Sequence, residues 1–357
     1  MLENDRLIRA LLKQPVDRVP VWIMRQAGRY MPEYRTLRKQ AKNFMAFCQT
    51  PSLCCEATLQ PLARFPELDA AIIFSDILTI PAAMGLDLSF LESQGPLFSN
   101  PLRKPKDLNR LKQPDLQNDL GYVFEAIQLT RQRLQNHLPL IGFSGSPWTL
   151  ACYMIEGQGS KIFKHIKTWM YTDPESLKIL LQQITEVVIS YLNQQIVAGA
   201  NALMLFDTWG GVLTSDAYSE FSLAFLNQIA QHVQRTHQGE SIPLIFFTKN
   251  GGQWLEAIAD SGCDAVGIDW TTDLLKAKNR VGNRVALQGN VDPMLLYGNE
   301  NTIRQQVQRC MQAMGPDTGY VFNLGHGIDK DTPISRVHCM LKAVHEYGQV
   351  TKNSGHS

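Results

Sequence analysis

Eight short apolar, β-rich runs recur along the chain: residues 19–24 (VPVWIM), 70–74 (AAIIF), 138–143 (LPLIGF), 202–206 (ALMLF), 243–247 (PLIFF), 265–268 (AVGI), 285–289 (VALQG) and 320–324 (YVFNL). Runs this short and this continuously apolar predict strands buried on both faces. Between them the spacing is helical. The clearest such stretch, 173–199, places Asp173 at an N-cap, Pro174 at N1, Leu177, Leu180, Leu181, Ile184, Val188 and Leu192 on the buried side, and Gly199 near the stop. A second, 332–348, predicts Thr332 as cap, Pro333 at N1 and Gly348 at the end. Strand and helix alternating eight times, with no Pro/Gly/Ser linker and no composition shift, predict an α/β fold of one domain over 1–357. The expected form is a (β/α)8 TIM barrel rather than a doubly wound sheet with a second domain. The intervals 25–69 and 75–137 are too long for one helix each, so the barrel is expected to be distorted early. Residues 351–357 are expected to form a flexible C-terminal tail.

Charge narrows the function. The 34 Lys+Arg and 33 Asp+Glu are interspersed and leave a net charge of +1, without the basic excess of a nucleic-acid or anionic-lipid binder, so any anion recognition must be local. The opening residues MLENDRLIRALLKQ lack a signal peptide's apolar core, and no stretch approaches a membrane span; a cytoplasmic location is the expectation. The seven cysteines form no CxxC and no even framework, and read as reduced, mostly buried thiols, with Cys54 and Cys55 in helix packing.

In a barrel the chemistry collects where the strands end. After the first run come Arg25, Gln26, Ala27, Gly28 and Arg29; after the second, Ser75 and Asp76; after the third, SGSPWTL; after the fourth, Asp207 and Thr208; after the sixth, Asp269; after the seventh, Asn290 and Asp292; after the eighth, His326 between two glycines. Residues 20–35 hold three arginines, Arg25, Arg29 and Arg35. Gly28 lets the backbone turn closely between the first two, and guanidinium forks suit carboxylates and phosphates bidentately. Each residue also has a plainer reading: surface or subunit ion pairs for the arginines, a helix cap for Asp76, a structural imidazole for His326, core packing for Tyr153. Other chemistry lacks its motifs. There is no GxxxxGK[ST], HExxH, GxSxG or spaced Cys/His ligand set, and the GxG runs lack a third glycine, so neither metal nor nucleotide cofactor is expected.

With these residues in place, the chain resembles the uroporphyrinogen decarboxylase family. PVWIMRQAGRYMPEYR and GFSGSPWTLACYMIEGQGSK are similar to its two signatures, and AIIFSDIL, LMLFDTWGG, LQGNVDP and FNLGHGI follow in the family's order, so the resemblance spans about residues 5–350. It implies a distorted (β/α)8 barrel, a homodimer, and cofactor-free removal of the four acetate carboxyl groups of uroporphyrinogen III to give coproporphyrinogen III. It further implies that Arg25, Gln26, Ala27, Gly28 and Arg29 meet substrate, that Asp76 sits beneath the pyrrole N–H groups, and that Tyr153, Thr208 and His326 complete the cleft. The catalytic set would be Asp76, Arg25 and Tyr153. Thr208 stands where relatives carry serine, keeping the hydroxyl and adding a methyl.

Overall fold

The computed structural model describes residues 2–91, 95–315 and 319–350; the tail expected at 351–357 lies outside them. Seven parallel strands form one curled sheet: β1 (Ala71–Ile72), β2 (Leu140–Gly145), β3 (Ala202–Asp207), β4 (Leu244–Thr248), β5 (Ala265–Gly267), β6 (Ala286–Val291) and β7 (Tyr320–Leu324). They neighbour one another in strict chain order, β1 to β7, with registers such as Ile141↔Ala202, Leu205↔Phe246 and Gln288↔Val321. All of β2, β4, β6 and β7 is buried, as unbroken apolar runs require of strands covered on both faces.

The first apolar run is not a regular strand. Residues 19–24 nevertheless span the gap between β7 and β1 and act as the eighth stave. Val21 bridges Phe322 in parallel, the Phe322 N–H donates to the Pro20 carbonyl at 2.9 Å, and the Asp69 N–H donates to the Val21 carbonyl at 2.8 Å. Regular pairing stops because the Asp69 carboxylate takes the Val21 N–H itself, at 2.9 Å. That carboxylate, fully buried, also accepts from both terminal nitrogens of Arg18 at 2.7 Å and from Asn4 at 2.9 Å. The barrel is therefore closed partly by a polar clamp. Inside it, Trp22 donates its indole N–H to Gln288 at 2.9 Å.

The distortion falls where the long intervals placed it. Helices Pro32–Arg38, Phe44–Cys48 and Pro51–Arg64 precede β1; a short helix Thr79–Ala83, a hairpin of Leu88–Leu91 with Gly95–Phe98, and helix Leu116–Leu134 separate β1 from β2. The long helix is Pro174–Ala198, with the Asp173 carboxylate accepting from the Ser176 N–H at 3.2 Å and Gly199 closing it at φ +117°. The last helix corrects the sequence reading. It runs Ile334–Tyr347 with Pro333 at the N-cap, and the Thr332 hydroxyl caps nothing. Thr332 is drawn into the preceding turn, its N–H on the Asp329 carbonyl, and is buried there. Gly348 does end the helix. All seven cysteines are free thiols, six of them buried, and Cys54 and Cys55 pack within helix Pro51–Arg64.

Candidate active site

Arg25 follows the closing stave, and its backbone is itself the turn, at φ +63°, a left-handed conformation that a bulky side chain rarely adopts. Gly28 serves that turn from behind: a Cβ there would lie 3.3 Å from the Arg25 carbonyl. The Arg25 side chain lies across Gly327, where any Cβ would overlap its Cδ, Cγ and Nε. The Ile328 N–H on the Met24 carbonyl, at 2.9 Å, ties the two loops together. The glycine after His326 thus exists to let an arginine through.

Arg25 and Arg29 are exposed, and neither guanidinium has a hydrogen-bond or ion-pair partner among the described residues. Arg35, the third of the cluster, is a brace: it donates to the Arg29 carbonyl at 2.7 Å and to the Tyr30 carbonyl at 3.3 Å. Gln26 is inward. Its amide bonds the Ile23 N–H and the Ala70 carbonyl, its N–H donates to Ile23, and its carbonyl accepts from Tyr30 Oη at 2.7 Å. All of its polar groups are engaged within the protein, and it holds the turn that presents its neighbours.

Asp76 follows β1. One carboxylate oxygen accepts from the Leu78 N–H at 2.7 Å, starting the turn into helix Thr79–Ala83. Among the described residues the other oxygen, Oδ2, has no partner, so Asp76 both caps a turn and offers a carboxylate oxygen to a ligand. Burial pushes its carboxyl up to about 6, against the Leu78 hydrogen bond and the Arg25 charge, which pull it down. Tyr153 lies on helix Pro147–Glu156, started by Pro147 and by Ser146 accepting from the Thr149 N–H at 3.0 Å. Its phenol is raised by burial first; neighbouring Trp209, its ring 6.1 Å away, opposes that, and the charges of Asp76 and Arg25 both reach it. His326 is held down to about 4, by burial first and then by the charges of Arg25 and Lys249, so its imidazole is neutral at pH 7. The charge of Arg25 therefore reaches Asp76, Tyr153 and His326, each of which follows a different stave.

Thr208 directly follows β3, and its hydroxyl makes no hydrogen bond among the described residues. The residue before it is the keystone of this wall. Buried Asp207 accepts from Ser146 at 2.6 Å, Ser222 at 2.8 Å, and Thr149 and Thr248 at 3.2 Å, tying three chain segments to one carboxylate. Aromatic rings continue the wall from Phe143 through Phe206 and Phe247 to His326, with successive centroids 5.6, 6.3 and 6.1 Å apart. Sequence reasoning passed over Lys249, the residue after β4. Its signal was the one that found Asp76, a charged residue two positions past the end of an apolar run. Among the described residues no three His, Cys, Asp or Glu side chains are grouped as a metal-binding set.

Comparison with known proteins bears directly on this arrangement. The profile of the family described as uroporphyrinogen decarboxylase (URO-D) matches residues 2–347. The chain belongs to that family. The uroporphyrinogen decarboxylase of Coxiella burnetii (strain RSA 493 / Nine Mile phase I) is 60% identical over 346 residues, covering 97% of this chain and 96% of that protein. The one from Alkalilimnicola ehrlichii is 55% identical, covering 97% and 94%. Among solved structures, a methyltransferase from Methanosarcina mazei superposes with a TM-score of 0.81 at 24% identity, covering 97% of this chain and 99% of that one. The methyltransferase likeness is one of fold, and family membership rests on the sequence relatives.

Proposed function

We propose that this chain is a uroporphyrinogen decarboxylase, a carboxy-lyase that converts the four acetate arms of uroporphyrinogen III to methyl groups, releasing CO2 and coproporphyrinogen III in tetrapyrrole synthesis. What supports the reading is a half-buried carboxylate, a phenol and a neutral imidazole, each within reach of the charge of Arg25, in a chain 60% identical to an enzyme of that name.

Decarboxylation needs a sink for the electrons of the breaking C–C bond, and a porphyrinogen supplies its own. Protonation of the pyrrole carbon adjacent to the one bearing the acetate arm makes an electron-poor ring, with positive charge shared by the arm-bearing carbon and the ring nitrogen. The C–C bonding pair flows into that ring as CO2 leaves, and the exocyclic methylene then takes a proton to become a methyl group while the ring proton is returned. Each arm consumes one proton net, and no cofactor is called for. Asp76 stabilises the cationic ring: above about pH 6 it is ionised, and in a water-poor cleft a fixed carboxylate acts far more strongly than in water. Arg25 and Arg29 hold acid arms. Ala27 and Gly28 give their turn its close backbone approach, and Gln26 anchors it. Tyr153, Thr208 and His326 offer a phenol, a hydroxyl and a neutral imidazole for hydrogen bonds to the remaining arms.

The test is anaerobic incubation of the purified protein with uroporphyrinogen III, followed by oxidation and chromatographic counting of carboxyl groups. A ladder ending at the four-carboxyl product is expected; binding without loss of carboxyl groups would make the protein a carrier instead. We also propose that the enzyme works as a homodimer, which light scattering would show as twice the 40.2 kDa chain mass. Free thiols at all seven cysteines fit a reducing compartment such as the cytoplasm, and no helix among the described residues is long and apolar enough to cross a membrane.

A further inference from the structure

The eight staves stand in chain order around the barrel, so the segment carrying Arg25 and Arg29 is first and β4 is fifth, directly across the ring. Lys249 directly follows that fifth stave. It is half-buried, and its ammonium has no hydrogen-bond or ion-pair partner among the described residues. Its backbone is fixed on three sides. The Lys249 N–H donates to the Asp207 carbonyl at 3.3 Å, Asn250 beyond it turns at φ +58° with its N–H on the Asp269 carboxylate, and Gly211 packs against the Lys249 carbonyl so closely that a Cβ there would overlap it. Asp207 pairs with Thr248 in register, which sets Lys249 beside Thr208. The charge of Lys249 reaches His326, as that of Arg25 does from the opposite wall.

An unpaired cation held in a rigid turn, across the ring from a second whose charge reaches the same imidazole, is suited to a carboxylate. We propose that Lys249 is a further substrate-binding residue, pairing with a carboxylate on the edge of the macrocycle opposite the one held by Arg25 and Arg29. The inference rests on the decarboxylase reading above. Two cationic poles on opposite walls would clamp an eight-carboxyl ring across its diameter, while Asp76 supplies the negative charge between them.

The experiment compares the parent enzyme with Lys249→Met and Lys249→Arg. Lys249→Met is expected to raise KM for uroporphyrinogen about tenfold with little change in kcat, the size of a lost charge-assisted contact, while Lys249→Arg stays near the parent. The His326 imidazole, followed by NMR, should titrate at a higher pH in Lys249→Met only. An unchanged KM in Lys249→Met, or equal losses in both variants, would overturn the assignment. A parent that leaves uroporphyrinogen untouched would instead fail the decarboxylase reading itself, before either variant is compared.

Discussion

Asp76 and His326 depart from ordinary titration in opposite senses, and their consequences for stability oppose each other. The Asp76 carboxyl is raised from 3.8 to about 6, so between those pH values the folded protein holds a proton that the unfolded chain has released. Its contribution to stability therefore falls as pH rises through that window. Above about pH 6 the ionised, desolvated carboxylate costs the fold about 3 kcal/mol, two pKa units at about 1.4 kcal/mol each. His326 is lowered from 6.5 to about 4, so the unfolded chain holds the extra proton there and stability rises with pH through that range. Asp76→Asn, which can keep the Leu78 hydrogen bond, is expected to melt higher than the parent at pH 7 and equally near pH 4. Its turnover should drop by at least about 100-fold with substrate affinity largely kept. Melting curves across pH alongside steady-state kinetics check both; unchanged turnover would remove Asp76 from the chemistry. Asp76, Arg25 and His326 were legible because each is a polar residue within two positions of the end of an apolar run. Lys249 obeys the same rule, but in TKNGG it reads as an ordinary solvated turn lysine, and only the closed ring shows what it faces.

The loop after β7 shows how one element serves its neighbours through glycines with different tasks. A Cβ on Gly325 would meet backbone, 2.6 Å from the Trp270 nitrogen and 3.1 Å from the Asn290 carbonyl, and backbone cannot yield. The nearest atoms to a Cβ on Gly327 all belong to the Arg25 side chain, which can swing away. Gly325→Ala is therefore expected to destabilise the fold by about 1–3 kcal/mol, the range for overpacking. Gly327→Ala should cost less than about 1 kcal/mol yet lower kcat/KM about tenfold or more, by displacing Arg25 from its turn. Urea unfolding and kinetics on the pair separate the two; equal stability losses would show that Arg25 is pinned rather than free to swing. The sequence pattern GHG gives no hint of this division, because both glycines look like turn residues until their neighbours from other loops are in place. Helices were more legible. Residues 173–199 carry Asp, Pro and Gly in the right places, and the helix obeys all three. At 332–348 the same residue types mislead by one position, because the turn at Asp329 claims Thr332 before the helix begins.

At the scale of the molecule, the apolar runs foretold eight staves and the long intervals foretold the early distortion, but the means of closure was not legible. Asp69 stands immediately before the second run, where an aspartate reads as punctuation. In the folded chain it is the bolt between the first and second staves, with Arg18, Asn4 and the Val21 N–H all donating to one fully buried carboxylate, and Arg6 within 3.8 Å. Closure and function meet there, because the stave that Asp69 holds runs straight into Arg25. Asp69→Ala would leave the largely buried Arg18 guanidinium, the Asn4 amide and a backbone N–H without their acceptor, a loss of about 3–5 kcal/mol for a buried, hydrogen-bonded charge. Asp69→Asn keeps the volume and one acceptor oxygen, so it should lose less. In urea the order of midpoints is expected to be parent, Asp69→Asn, Asp69→Ala. Hydrogen exchange should locate the weakening at the Asp69 and Phe322 amides, which donate into the closing stave, rather than across β3 and β4. A midpoint for Asp69→Ala equal to the parent's would mean that the helices outside the barrel, not the clamp, hold the ring shut. In that case kcat/KM should also be unmoved, since Arg25 would keep its turn.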